Sequence, residues 1–184
     1  MKSIQILFLS LILLFAGAAR ADAAAMSIQG FTCDFSDPGG GTAEFDNYQG
    51  SLQLYLSVKE NSYDQVGAIF GNVTAIPSTV AFDITPVTNI SDDVIAIIVY
   101  YKYNGTLYSS NYLDPKVVKK GSTYTYTFSS AGANPPIPKG STIVESMLEF
   151  YQASPSAASA YFNNFTINKT AIGKKIMKDA ACPW

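Results

Sequence analysis

The residues that could do acid–base chemistry in this chain are almost all carboxylates. The sequence contains no histidine, and its one arginine is Arg20, so lysine is the cation of the chain that follows. The usual general base at neutral pH, the commonest metal ligand and the guanidinium clamp for phosphate are therefore absent beyond Arg20. Catalytic sets of the Ser-His-Asp or Cys-His type are excluded for the same reason.

Glu145 and Glu149 are the best candidates for a catalytic carboxylate pair. On a strand they share one face with Cα atoms about 13 Å apart, whereas glycoside hydrolysis needs carboxyl groups about 5–10 Å apart. An outward polar face explains the pair more simply, so we assign no catalytic residue. A small carboxylate-dependent glycosidase or lyase is kept as the second alternative function.

Tyrosine is the enriched residue type, with 12 in the chain, and several tyrosines flank Asn104-Gly105. Tyrosine rings stack on the C–H faces of sugars while hydroxyl and amide groups fix orientation. The competing interpretation is that these rings line a core or pair across strands. The predicted ligand-binding residues are Tyr101, Tyr103, Asn104, Tyr108 and Tyr112.

Strict alternation of apolar and polar residues predicts the strands that must position these side chains. The predicted strands cover 51–58, 65–74, 79–85, 94–103, 106–113, 122–128 and 160–168. Asn104-Gly105 is a strong signal for a two-residue type I′ hairpin turn between two of them. Residues 141–152 fit the apolar spacing of a strand and that of a helix, and we assign them as a strand. Residues 173–181 are assigned as a short lysine-bearing helical turn.

Strands separated by turn signals, without a long helix, predict an all-β fold. We expect an antiparallel β-sandwich of jelly-roll type, because the Cys…Trp…Cys spacing of an immunoglobulin sandwich is missing. Residues 22–184 contain no linker or repeat and are assigned as one domain.

The first 21 residues have the pattern of a secretory signal peptide. Lys2 precedes an apolar run that ends in small residues before Arg20-Ala21, and the run is shorter than the roughly 20 residues of a membrane span. We expect a secreted protein, extracellular or periplasmic, without membrane insertion. The 14 acidic residues outnumber the cations, which disfavours nucleic acid as a partner. The oligomeric state is left open.

The two cysteines, Cys33 and Cys182, stand near the ends of the predicted domain. In an oxidising compartment they predict one disulfide that joins the terminal segments. Two free thiols are the alternative.

Five asparagines fit the N-glycosylation pattern Asn-x-Ser/Thr. They are Asn72, Asn89, Asn104, Asn164 and Asn168. Chance is the alternative, because serine and threonine are abundant here.

The segment Ser159–Ile167, with the sequence SAYFNNFTI, resembles the last strand of jelly-roll carbohydrate-binding modules of the galactose-binding-domain-like type. The resemblance implies a carbohydrate or polysaccharide as partner, and tyrosines in place of the family's frequent tryptophans. It also implies a structural calcium that bridges early loop oxygens and the final strand, here Asp34, Asp46 and Asn163. Asparagine stands at Asn163 where the family more often has aspartate. No other cofactor is implied.

The sequence therefore predicts a secreted, non-catalytic β-sandwich that binds a glycan through exposed tyrosines and polar loop residues. The alternative from another class is a structural or adhesive surface protein that assembles through strand pairing.

Overall fold

The computed structural model describes residues 26–33, 41–48, 51–58, 65–88, 90, 94–151, 157–172 and 176–180. Residues 45–48, 51–53, 94, 151 and 176–180 are described by their backbone alone. The predicted signal peptide over 1–21 lies outside the described residues. No helix within the described ranges is long and apolar enough to cross a membrane.

The described residues form fourteen strands and one short 3-10 helix at Ser130–Gly132. In chain order the strands are β1 (Ser27–Cys33), β2 (Thr42–Tyr48), β3 (Ser51–Val58), β4 (Gln65–Gly71), β5 (Thr79–Pro86), β6 (Val94–Tyr103), β7 (Thr106–Tyr112), β8 (Lys116–Lys120), β9 (Thr123–Ser129), β10 (Ala133–Asn134), β11 (Thr142–Tyr151), β12 (Ala158–Ile167), β13 (Thr170–Ala171) and β14 (Ile176–Ala180).

These strands form two sheets with a jelly-roll order. The first sheet has the order β10-β7-β6-β11-β4-β1-β14, and the second has the order β2-β3-β12-β5-β9-β8 with β13 paired to β12. Within them, β4-β11-β6-β7 and β3-β12-β5-β9 correspond to strands 2-7-4-5 and 1-8-3-6 of an eight-stranded jelly roll. The predicted all-β jelly-roll sandwich is confirmed.

Aromatic rings join the two sheets across the core. Phe150 of the first sheet lies with its ring centroid 5.8 Å from that of Phe162 in the second sheet. Phe70 and Phe165 form a similar pair at 6.0 Å. Phe82 of β5 lies 5.8 Å from Phe162 and 5.5 Å from Phe165. Such ring pairs add about 0.5–1.5 kcal/mol each beyond the burial of their area.

The predicted hairpin between β6 and β7 is confirmed. Asn104 has φ 51° and Gly105 has φ 80°, as a type I′ turn requires at both central positions. The turn sets the register of the pair, in which Tyr101 faces Tyr108 and Tyr100 faces Ser109. Odd and even positions of β6 therefore face opposite sides of the first sheet.

The ambiguous segment 141–152 contains a strand, β11, as predicted. It pairs with β6 on one side and β4 on the other. A β-bulge lies between Ile143 and Glu145, so Val144 is an extra residue on this strand. Beyond the bulge, Leu148 faces the core while Glu145 and Glu149 face outward.

The predicted helical turn over 173–181 is wrong. Residues Ile176–Ala180 form β14, which pairs in parallel with β1. An edge strand presents unpaired N–H and C=O groups, and a segment that returns beside it can satisfy them. Pairing of this kind overrides a weak local helical preference, and nothing in the segment's own sequence indicates it.

The strand β8 was not predicted from the sequence. All five of its residues, KVVKK, are exposed, so it lacks the alternation of a half-buried strand. It forms because β9 offers it a partner in the register Lys116 to Thr127. Its three lysines lie on an edge of the second sheet.

Candidate functional site

The outer surface of the first sheet carries an apolar cluster that is separate from the core. It contains Phe31, Ile98 and Met147, with Ile69 and Tyr100 packed against it. The cluster forms because Met147 of β11 stands directly between Ile98 of β6 and Ile69 of β4. Met147 is 0% exposed although it points away from the sandwich interior. Neighbouring side chains therefore pack tightly over this part of the sheet.

Two glutamates and a tyrosine surround Met147. Glu145 and Glu149 lie two residues before and after it on the same face of β11, and Glu145 pairs with Tyr100 of β6. All three side chains are half-buried. We call the surface formed by Ile98, Tyr100, Glu145, Met147 and Glu149 the Tyr100 face.

Burial leaves both carboxylates poorly solvated. Desolvation raises the pKa of Glu145 and that of Glu149 above the ordinary value of 4.5. Neither carboxylate has a hydrogen-bond or ion-pair partner among the residues that the structure describes. A half-buried carboxylate without a partner costs free energy, because a charge taken out of water needs compensating donors. Donors from a ligand would supply that compensation.

Tyr100 is electrostatically linked to the same pair. Burial raises the pKa of Tyr100, and the negative charges of Glu149 and then Glu145 raise it further. Its hydroxyl therefore remains protonated and can donate as well as accept hydrogen bonds. Ser109 and Asn111 of β7 and Lys102 of β6 add exposed polar groups on the same side of the sheet.

The separation of Glu145 and Glu149 limits the chemistry of this face. Four residues of extended strand separate their Cα atoms, about 13 Å. Carboxyl groups that hydrolyse a glycosidic bond lie about 5–10 Å apart. The register sets Glu145 beside Tyr100 and Glu149 beside Ala96, where each carboxylate can accept hydrogen bonds from hydroxyl groups.

The predicted ligand-binding residue Tyr112 is not at the surface, which corrects its assignment as an exposed tyrosine. Its side chain is 0% exposed, and its hydroxyl donates a 2.6 Å hydrogen bond to the Pro77 carbonyl oxygen. Desolvation raises the pKa of Tyr112 to about 12. Paired residues of neighbouring strands point to the same face of a sheet. Tyr112 pairs with the core residue Ile97, so it faces the sandwich interior.

The other predicted residues cluster at the hairpin. Tyr101 is buried, at 3% exposure, with its ring stacked on Tyr108 at a centroid distance of 5.7 Å. Tyr108 is 46% exposed, Asn104 is exposed and Tyr103 is half-buried. The structure thus brings Tyr101, Tyr103, Asn104 and Tyr108 together, with Tyr101 as support beneath Tyr108.

The predicted calcium ligands are not assembled within the described residues. Asp34 lies outside them, and only the backbone of Asp46 is described. Asn163 offers a fitting group, since its Oδ1 atom is buried without a hydrogen-bond partner. No group of three or more His, Cys, Asp or Glu residues that could hold a metal occurs in the part of the chain that the structure describes. The calcium site stays a prediction.

Four of the predicted glycosylation sites share a backbone conformation. Asn72, Asn104, Asn164 and Asn168 are all exposed and have φ between 51° and 61°. Asparagine tolerates this left-handed conformation better than most residues. Turn geometry alone therefore accounts for asparagine at these positions. Asn89 lies outside the described residues, and glycosylation of all five stays a prediction.

Sequence reasoning missed Tyr100 as a site residue. Residues 94–103 are apolar on both faces, so alternation could not separate Tyr100 from Tyr101. The one available signal was Lys102, which shares a face with Tyr100 and whose charge marks that face as the outer one.

The comparisons with known proteins concern structure. No protein-family model matches the chain, and no curated protein matches it. Among solved structures it is similar to the family 11 carbohydrate-binding module of the cellulosomal cellulase Lic26A-Cel5E of Clostridium thermocellum, with 12% sequence identity and a TM-score of 0.46 over 82% of this chain and 89% of that chain. It is also similar to a mutant of the family 29 carbohydrate-binding module CBM29-2, with 12% identity and a TM-score of 0.41 over 80% of this chain and 94% of that chain.

Proposed function

We propose that this chain is a secreted, non-catalytic carbohydrate-binding protein whose principal ligand site is the Tyr100 face. The observation that carries the proposal is the half-buried ring of Tyr100 beside two desolvated carboxylates that lack partners among the described residues. A sugar ring stacked on Tyr100 would present hydroxyl groups as donors to Glu145 and Glu149.

The charge of this face supports a neutral glycan as its ligand. Glu145 and Glu149 would repel uronic acids, sulfates and phosphates. Among the described residues of β6, β7 and β11, Lys102 is the only cation on the same side of the sheet. Hydroxyl groups suit carboxylate acceptors without adding charge to the site. We therefore expect polysaccharides such as glucans, mannans or xylans to bind better than acidic ones.

The hairpin residues form a second part of the proposal. Tyr103, Asn104 and Tyr108 lie at the hairpin end of the same sheet, and Tyr103 and Tyr108 share the side opposite to Tyr100. The exposed Tyr108 ring and the Asn104 amide would therefore contact a sugar unit outside the Tyr100 face. The buried Tyr101 supports the Tyr108 ring from below through their stacked contact.

The β8 edge of the second sheet disfavours assembly by strand pairing at that end of the sheet. β8 ends that sheet and carries three lysines in five residues. Lysines on an edge strand are a common device against the addition of another strand. Assembly of the purified protein that depends on its concentration and needs no glycan would favour this alternative.

The disulfide between Cys33 and Cys182 is also proposed, as part of an exported protein. The parallel pairing of β1 with β14 places Phe31 opposite Ala180, and each cysteine follows one of these residues by two positions. This pairing supports the proposed disulfide, because paired strands lie about 4.8 Å apart and a disulfide spans Cα distances of about 4.4–6.8 Å.

Retention on immobilised polysaccharides tests the proposed function. We expect wild-type protein, expressed without residues 1–21, to be retained on at least one neutral polysaccharide from a panel of glucans, mannans and xylans. Incubation with the same panel should release no reducing sugar. Failure to bind any of them would overturn the proposal, and turnover abolished by Glu149→Gln would favour the glycosidase or lyase alternative.

A further inference from the structure

A row of side chains crosses the outer surface of the second sheet, opposite the Tyr100 face. Six strands each contribute one residue to it, and we call it the Tyr161 row. Neighbours in the row are paired in register, except Thr85 and Thr123, which follow the last registered pair of β5 and β9 and meet through their side chains. In order across the sheet the row consists of Glu44, Tyr55, Tyr161, Thr85, Thr123 and Lys120.

The outward direction of this row follows from its neighbours. Leu54 and Leu56, on either side of Tyr55, belong to the core, as do Ala160 and Phe162 on either side of Tyr161. Successive side chains of a strand point to opposite faces, so both tyrosines point away from the core. Each is half-buried and retains an accessible part.

The centre of the row is a pair of rings followed by a pair of hydroxyls. Tyr55 and Tyr161 lie with ring centroids 5.1 Å apart and planes inclined by 49°. Next to them, the Oγ1 atoms of Thr85 and Thr123 lie 3.3 Å apart and share one hydrogen bond, with either as donor. Each hydroxyl can still interact with a further group, because a hydroxyl has one donor and two acceptor positions.

A hydrogen-bonded network fixes the surface beside the row. Asp83 accepts a 2.6 Å hydrogen bond from Thr125 Oγ1 and a 2.8 Å hydrogen bond from Asn164 Nδ2. Asn164 holds the left-handed position of a β-bulge in β12, with φ 52°. These contacts join β5, β9 and β12 and keep the strands of the row in place.

The composition of the row points to a glycan and disfavours a protein partner. None of its six residues is aliphatic, and the charges of Glu44 and Lys120 stand at opposite ends, so the centre is uncharged. The fully buried core of a protein interface is more apolar than the surface around it, whereas this row sets two hydroxyl groups beside its two rings. Neighbouring strands lie about 4.8 Å apart, so the row extends over about 24 Å. That length suits several rings of an extended chain laid across the strands.

We propose that the Tyr161 row is a second binding surface, which takes an extended neutral glycan independently of the Tyr100 face. The rings of Tyr55 and Tyr161 stack on successive sugar faces, and the hydroxyls of Thr85 and Thr123 bind sugar hydroxyls. Because the two surfaces lie on opposite sides of the sandwich, one chain can join two polysaccharide strands. This proposal goes beyond the proposed function and does not depend on the Tyr100 face.

Isothermal titration of single variants with a soluble neutral oligosaccharide tests the second surface. The probe is a hexasaccharide of whichever glucan, mannan or xylan retains the wild-type protein, and all three are used if none does. We expect two sites for each wild-type chain, and one in Tyr161→Ala and in Tyr100→Ala. Thr85→Val, which keeps shape but loses a hydroxyl, should weaken the second site at least about threefold.

Matched controls separate binding from folding. Tyr161→Phe keeps the ring and should retain the site, and Thr127→Val, on the same side of β9 but outside the row, should leave both sites unchanged. Thermal unfolding of each variant shows whether it remains folded.

The outcomes distinguish this proposal from the proposed function. Loss of all binding in Tyr100→Ala, with Tyr161→Ala and Thr85→Val unchanged, would overturn the second surface and leave the first. Loss of binding only in Tyr161→Ala and Thr85→Val would support the second surface and overturn the Tyr100 face. A wild-type chain that binds none of the three hexasaccharides would overturn both.

Discussion

At the scale of single residues, the Tyr100 face is defined by the partial burial of its carboxyl and phenol groups, which raises their pKa values. Glu145 and Glu149 are held in a partly desolvated position, which costs free energy while no ligand is bound. Carboxyl groups with perturbed pKa values are common at functional sites, and this tendency supports the proposed role of the pair.

Glu149→Gln should remove a pH dependence of stability. A raised carboxyl pKa means that the native state binds more protons than the unfolded state above pH 4.5, so wild-type stability rises as pH falls toward 4.5 from neutral. The glutamine variant lacks this titrating group, so its free energy of unfolding should increase less than that of the wild type over the same fall in pH. Urea unfolding at several pH values between 4.5 and 7 measures the difference, and parallel curves for the two proteins would contradict it.

Tyr112→Phe should destabilise the fold without changing the affinity for a glycan. The variant leaves the buried Pro77 carbonyl without its 2.6 Å hydrogen bond, which costs about 1–3 kcal/mol. Because the native tyrosine keeps its proton up to a pKa of about 12, wild-type stability should also fall as pH rises above 10.0, by up to about 1.4 kcal/mol per unit. Denaturant unfolding at pH 8–11 measures both effects, and a Tyr112→Phe curve with the wild-type slope would contradict the second.

Individual site residues were harder to predict than strands. The sequence indicated that tyrosines near Asn104-Gly105 matter, but it could not show which side of β6 each faced. Tyr112 entered the predicted site because it is close to the turn, although its register with Ile97 places it in the core. The sequence does not single out Tyr100, because apolar residues occupy both faces of its strand.

At the scale of elements, close packing of β1, β4 and β11 supports the Tyr100 face. The Phe31 ring lies over Gly67, where a Cβ atom would meet it at 2.8 Å and would also collide with the Leu148 carbonyl oxygen. Gly67 thus permits β4 to lie between its two neighbours while Phe31 packs beside Met147.

Gly67→Ala should destabilise the fold more than a glycine substitution in open space. A collision with a backbone carbonyl cannot be relieved by a change of rotamer, so we expect a loss of at least about 3 kcal/mol. Gly105→Ala is the control, because nothing lies within 4 Å of its Cβ position and only its φ of 80° is strained, at about 1–2 kcal/mol. Chemical unfolding compares the two, and a smaller loss for Gly67→Ala would contradict the packing described here.

The strands that the sequence predicts correctly are those with one buried and one exposed face. Val80, Phe82 and Ile84 of β5 alternate with polar residues, and the strand follows directly. β8 and β14 lack such alternation and exist because an edge strand beside them offers hydrogen-bonding groups. Pairing of this kind is a property of the assembled sheet, so local sequence does not predict it.

At the scale of the whole molecule, the jelly roll brings the first and last described strands together. β1, which ends at Cys33, and β14, which ends two residues before Cys182, form one end of the first sheet. A covalent link between Cys33 and Cys182 would close a loop that contains nearly the whole domain, which constrains the unfolded chain strongly.

Paired replacement of Cys33 and Cys182 by serine should therefore lower the free energy of unfolding by about 2–5 kcal/mol. Wild-type protein treated with a reductant should shift to the same value, whereas the serine variant should not respond to the reductant. Equal stability of oxidised wild type and variant, or a free-thiol titration that finds two thiols in the oxidised protein, would contradict the disulfide.

The two outer surfaces of the sandwich give the molecule its proposed role. One presents Tyr100 with two carboxylates, and the other presents a row of rings and hydroxyls. Because the sequence has no histidine and its one arginine is Arg20, the polar groups of these two surfaces are carboxylate, phenol, hydroxyl, amide and lysine side chains.

The binding constant of Tyr100→Ala for the polysaccharide that retains the wild-type protein tests the central claim most directly. Loss of the stacked ring should weaken binding at the Tyr100 face by at least about tenfold, or about 1.4 kcal/mol, in isothermal titration. The control is Tyr124→Ala, which removes a half-buried tyrosine from β9 outside both proposed surfaces and should bind as wild type. Wild-type affinity and stoichiometry in folded Tyr100→Ala would contradict the account.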